Sequence, residues 1–128
     1  MNASAIQALV SYNDMANRMI LQAAAGLSAE QLDQPFEMGV GTLRKTLVHI
    51  WAGEHMWLQR WLGCGDTPWV AENEAISVAD LEQRWQKTIS DRDAFLSSVP
   101  DEALARMMTY RDSRGPRYTA ALEQMILQ

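Results

Sequence analysis

Three long stretches of this chain repeat their apolar residues every three or four positions, and that period commits the chain to helices. The first stretch runs from about Ala5 to Ala25, with Ile6, Leu9, Val10, Ala16, Ile20 and Ala24 on one stripe and Ser4 as the expected N-cap. Ala8, Tyr12, Met15 and Met19 form a second stripe beside it, so this helix is apolar over more of its circumference than one core requires. Gly26 is placed to stop it. The second stretch, "TLRKTLVHIWAGEHMWLQRWLG", starts after Thr42 and ends at the "GCGDTP" cluster. The third spans Ser77 to about Ser98, with Val78, Leu81, Trp85, Ile89 and Leu96 inward, and Pro100 closes it.

Between these stretches the signals are shorter. In "LSAEQLDQPFEMGVG" one turn is expected after Ser28, capped through Gln31. "MMTYRDSRGPRYT" alternates weakly around Arg114-Gly115-Pro116, which predicts a small hairpin or extended loop. Thr119 is then expected to cap a fourth helix, "AALEQMILQ", which stops without a C-cap in mid-pattern. The expectation is one domain over residues 1–128, all-α, with the fourth helix incomplete and the chain cut short.

Composition excludes several function classes. A net charge of -5 repels phosphate backbones, so no nucleic-acid role is expected. No run reaches the roughly 18 apolar residues of a bilayer span, and the N-terminus lacks a basic start, so neither membrane insertion nor secretion is expected. The lone Cys64 excludes an intramolecular disulfide and a cysteine-based zinc cluster, which makes a reducing cytoplasm the default location.

His49 is the residue on which function turns. Its neighbours one turn away on a helix are Lys45, Thr46, Ala52 and Gly53, none of them an ordinary metal ligand. His55 lies six residues on, roughly 240° round the helix, and cannot share a metal with it. His49 is therefore a ligand only if its partners come from another helix. Thr42, Thr46, His49 and Gly53 nevertheless make a small, polar strip on a bulky helix, and Gly53 costs about 1 kcal/mol against alanine. A cavity beside the imidazole explains such a strip. A hydrogen-bonded core histidine, with a glycine that lets two helices approach, explains it too, and spacing alone favours this second account. Asn13 and Asn17, one turn apart, either line the same cavity or are satisfied core amides. Cys64 has no second histidine nearby in sequence to act as its base and is read as inert.

The blocks "SYNDMANRMIL", "GTLRKTLVHIWAGEHMWLQRWLG" and "TYRDSRGPRYTAALEQMILQ" resemble, in order, the DinB/YfiT-like family of bacterial four-helix-bundle metalloenzymes. The second block is the most specific, with its G-T-L-R start, a histidine seven residues after Thr42, and an aromatic-rich end at Leu-Gly. The resemblance implies an up-down-down-up bundle and a homodimer through the first two long helices. It also implies that His49 ligates a divalent metal, zinc or nickel, together with two histidines of the fourth helix just beyond "ALEQMILQ". Gln124 and Gln128 occupy the preceding turns. This chain carries one of the three expected ligands, so the site is expected to be incomplete here.

Two readings follow. The first is a metal-dependent enzyme of hydrolase or thiol S-transferase type acting on an unidentified small molecule. Its metal would be a Lewis acid or lower the pKa of bound water or thiol. His49 is its one nameable ligand, and Asn13, Thr46 and Gly53 are its expected pocket lining. The second is a non-catalytic helical dimerisation or binding module with His49 in the core.

Overall fold

The structure, a computed structural model, describes residues 2–70, 75–112 and 114–127. Helix α1 covers Ala3–Ala25. Its cap is Asn2, not Ser4 as the sequence predicts: the Asn2 side-chain oxygen accepts the Ala5 N–H at 2.9 Å. The Ala3 N–H finds Asp101, almost a hundred residues away, and this long-range acceptor lets the helix start earlier than its local signal. The short α2, Ala29–Leu32, has the expected reciprocal cap between Ser28 and Gln31.

Helix α3, Leu43–Trp61, begins at Thr42, whose hydroxyl accepts the Lys45 N–H at 3.1 Å. Gly63 ends it in the left-handed region at φ 89°, where a side chain would be strained. Helix α4, Val78–Ser98, is capped by Ser77. A 3-10 turn at Asp101–Ala105 leads into an antiparallel hairpin of β1, Met107–Arg111, and β2, Arg117–Ala121. Thr119 therefore caps nothing. It pairs with Thr109 across the ladder, and its hydroxyl meets that of Thr109 at 3.1 Å. Helix α5, Leu122–Ile126, starts only after the last ladder residue, with Gln124 turned back onto the Ala121 N–H. Among the described residues the chain is thus mostly helical, with one short hairpin.

α1 and α3 both pack on α4, and α5 packs on α3. Two apolar clusters result. One gathers Leu21, Leu32, Leu47, Val48, Trp51, Leu81 and Trp85; the other gathers Ile6, Leu58, Trp61, Leu96, Leu104, Leu122 and Met125. Each long helix contributes to both clusters, and polar side chains lie between the two contributions. On α1 these are Asn13, Asp14 and Asn17, on α3 Glu54, and on α4 Thr88 and Arg92.

That belt corrects the expected inner face of α1. Leu9 and Ile20, expected inward, are 53% and 44% exposed, whereas Asn17 and Leu21 are buried with Ile6 and Ala24. The cause is polar. Asn13 and Asn17 bond to Glu54 of α3, and Asp14 bonds to Arg92 of α4, so α1 is rotated to bring its amides and carboxylate inward. The second stripe is left outside, with Tyr12, Met15 and Met19 exposed.

Candidate functional site

Glu54 is the only acid on α3, and it collects three donors. Its Oε1 accepts the amides of Asn13 at 2.7 Å and Asn17 at 2.6 Å, and its Oε2 accepts the Trp85 indole N–H at 2.6 Å. Donors from α1 and α4 thereby fix a partly buried carboxylate in one orientation. Beside it, Arg92 forks onto Asp14 at 2.8 and 2.6 Å and also reaches Asp93. Burial alone would lower the pKa of this guanidinium, but the hydrogen bonds and charges of Asp14 and Asp93 raise it on balance. The Trp51 indole completes the belt by donating to Thr88 at 3.1 Å.

A cavity of about 590 Å3 opens against this belt. Asn13, Glu54, Thr88 and Arg92 are polar members of its wall, and Leu9, Val10, Ile50, Trp57 and Trp61 supply apolar surface. Met125, Ile126 and Leu127 close one side. Its size and its apolar wall with a few fixed polar groups suit a small organic ligand.

His49 lines this cavity and is exposed, its ring tilted against Trp69 at a centroid distance of 5.4 Å. It is not the buried core imidazole that spacing favours, because α3 turns its Leu47, Val48 and Trp51 face to the core instead. Gly53 lines the cavity too, and a Cβ built there meets nothing within 4 Å, so this glycine does not serve a close helix approach. Asn13 lines the cavity while bonded to Glu54; Asn17 is buried behind it. Thr46 points its hydroxyl back to the Thr42 carbonyl at 2.7 Å and is not part of the wall. His55 stacks on Trp51 away from the cavity wall, and burial pulls its pKa below the ordinary 6.5. Cys64 is exposed, and Gln128 lies outside the described residues.

The sequence reading missed Glu54, Arg92 and Trp85 as a polar system. A signal existed: a lone acid in an apolar helix, with two amides one turn apart on another, demands mutual satisfaction. No three His, Cys, Asp or Glu side chains among the described residues are grouped to hold a metal ion. His49 supplies one imidazole, and the Glu54 carboxylate already receives three donors, so this donor set does not fit a three-ligand site.

Fold and cavity together define a small helical domain in which α1, α3, α4 and α5 wall a ligand-sized space. Among the described residues no helix is long and apolar enough to cross a membrane. The family model of the DinB family matches residues 1–127, and the chain belongs to the DinB family. No match was found among curated proteins. Membership makes a DinB-like helical domain the coarse description of the chain.

Proposed function

We propose that the chain is a single DinB-type domain of up-down-down-up topology that serves a metal-dependent enzyme of hydrolase or thiol S-transferase type. His49 is its one nameable metal ligand, the metal is zinc or nickel, and the cavity takes a small-molecule substrate. One observation carries this reading: Ile126 and Leu127 at the end of α5 line the same cavity as His49. That shared wall supports ligands carried in register with α5 as the partners of the imidazole. Among the described residues no group of three His, Cys, Asp or Glu completes a site around His49. The lone, exposed Cys64 suits a reducing cytoplasm.

Calorimetric titration with zinc and nickel tests the assignment. This chain alone binds either ion weakly, since a single imidazole cannot fill three protein positions. A version carrying a His-x3-His segment after Gln128, in register with α5, binds tightly, and His49→Ala abolishes that binding while the helices stay folded. Equal affinity with and without the substitution would remove His49 from the site.

A second reading, a non-catalytic dimerisation or binding module, draws support from the outer stripe of α1, where Tyr12 and Met19 are 69% and 64% exposed. The two readings share a homodimer through α1 and α3 and differ in whether the cavity does chemistry.

A further inference from the structure

A second cavity, of about 310 Å3, lies between the end of α3, the loop at 66–69 and the end of β1. Its walls are pinned. The Gly65 carbonyl accepts the Arg111 N–H at 3.0 Å, and a Cβ at Gly65 would stand 2.7 Å from the Thr109 carbonyl oxygen, so the loop docks on β1 backbone to backbone. The Thr67 hydroxyl closes the loop onto the Cys64 carbonyl at 2.7 Å.

Arg60 of α3 lines this cavity and is only 8% exposed. Its guanidinium carbon stands 4.4 Å from the Trp57 ring centroid and 4.7 Å from that of Tyr110, and Nη2 donates to the Arg111 carbonyl at 3.1 Å. Nε is buried with no hydrogen-bond partner among the described residues. Burial pulls the Arg60 pKa down, with Tyr110 and Asp112 opposing the shift at a distance. The nearby carboxylates are engaged by other arginines. Asp66 is shared by Arg111 at 3.3 Å and Arg117 at 3.7 Å, and Arg114 reaches Asp112 at 3.7 Å. The pocket wall carries Asp66 and Asp112 together with Arg60 and Arg111, and among the described residues Arg60 is the guanidinium there that no carboxylate contacts. A buried cation without a carboxylate in contact is costly, and an oxyanion is the ligand that relieves the cost.

We propose that this pocket binds a small oxyanion, the carboxylate or phosphate group of an organic ligand, with Arg60 and Arg111 as its cationic walls. Trp69 also lines the pocket and packs on His49, so an anion held here lies one aromatic ring away from the first cavity. The inference stands apart from the metal reading, because neither His49 nor any metal takes part in it.

The test uses the full chain. Thermal melts and the Trp69 indole N–H resonance, assigned with Trp69→Phe, are followed during titration with sodium phosphate, acetate or succinate. Sodium chloride at matched ionic strength is the control. The expected result is a saturable rise in melting temperature and a saturable Trp69 shift with an oxyanion but not with chloride. Saturation at lower concentration by phosphate assigns a phosphate ester, and the reverse order assigns a carboxylate. Arg60→Met weakens the binding about tenfold or more, the effect of losing one charge-assisted contact. Arg18→Gln, at an exposed side chain of α1 outside this pocket, leaves it unchanged. Responses indistinguishable from chloride, or full affinity in Arg60→Met, overturn the proposal. Should Arg60→Met not fold, the wild-type Trp69 resonance decides alone, and absence of a saturable shift overturns it.

Discussion

Glu54 holds α1, α3 and α4 together with one carboxylate. Its donors Asn13, Asn17 and Trp85 come from the two helices that flank it, and each bond to a charged acceptor is stronger than a neutral one. Glu54→Ala strands those donors, and the partly buried ones cannot all turn to water. The expected cost is about 3 kcal/mol, read as a lower urea midpoint at unchanged slope. A midpoint within experimental error of wild type would mean that the belt is not coupled to folding. His55 gives the residue-scale pH dependence. Burial is the main cause of its lowered pKa, with Lys87 acting in the same direction and Asp91 against it. The unfolded chain therefore takes up the proton first as pH falls through 6.5, and stability drops from there down to the folded value. Above 6.5 the imidazole is neutral in both states and this contribution is constant. Melting temperature should fall as the pH drops below 6.5, and His55→Gln should flatten that part of the curve.

At the scale of elements, α1 has two apolar stripes and one partner face. Polar residues decided which stripe goes in: the belt turns Asn13, Asp14 and Asn17 toward α3 and α4 and leaves Tyr12, Met15 and Met19 outside. A run of exposed apolar side chains on one helix is the kind of surface that the proposed dimer would bury. The double substitution Met15→Glu with Met19→Lys is expected to convert a dimer at micromolar concentration into a monomer, measured by light scattering. The melting temperature of the diluted wild-type chain should be matched, since these side chains touch no core of their own. A wild-type chain that scatters as a monomer would count against the dimer.

Across the whole molecule, the two apolar clusters are built from opposite parts of the same helices, so neither cluster is a separate folding unit. Leu81 in one and Leu122 in the other are 1% and 0% exposed. Leu81→Ala and Leu122→Ala should each cost about 2–5 kcal/mol, the usual range for emptying a packed leucine site. Both should shift a single cooperative transition, seen alike by far-UV and tryptophan signals. Met19→Ala, on the outer face, should change the monomer by less than about 0.5 kcal/mol. Two separate transitions in the Leu122 variant would show that the hairpin and α5 fold on their own.

The periodicity of apolar residues determined by itself where the long helices run, because a buried stripe on a helix must repeat near every 3.6 residues. Local chemistry likewise set the caps at Thr42, Ser28 and Ser77, the glycine stop at Gly63 and the hairpin around Gly115, since these depend only on neighbours in sequence. Motif blocks made the family legible, and the match over residues 1–127 agrees with them. What sequence distance hides was decided in three dimensions. Asn2 capped α1 with help from Asp101, Thr119 was claimed by Thr109, and Leu9 and Ile20 lost the inner face to Asn17 and Leu21. The pairing of Glu54 with Asn13, Asn17 and Trp85, and of Arg92 with Asp14, belongs here as well. A hydrogen bond between helices depends on the rotation of each about its axis. That rotation is fixed only when all the polar groups are satisfied together.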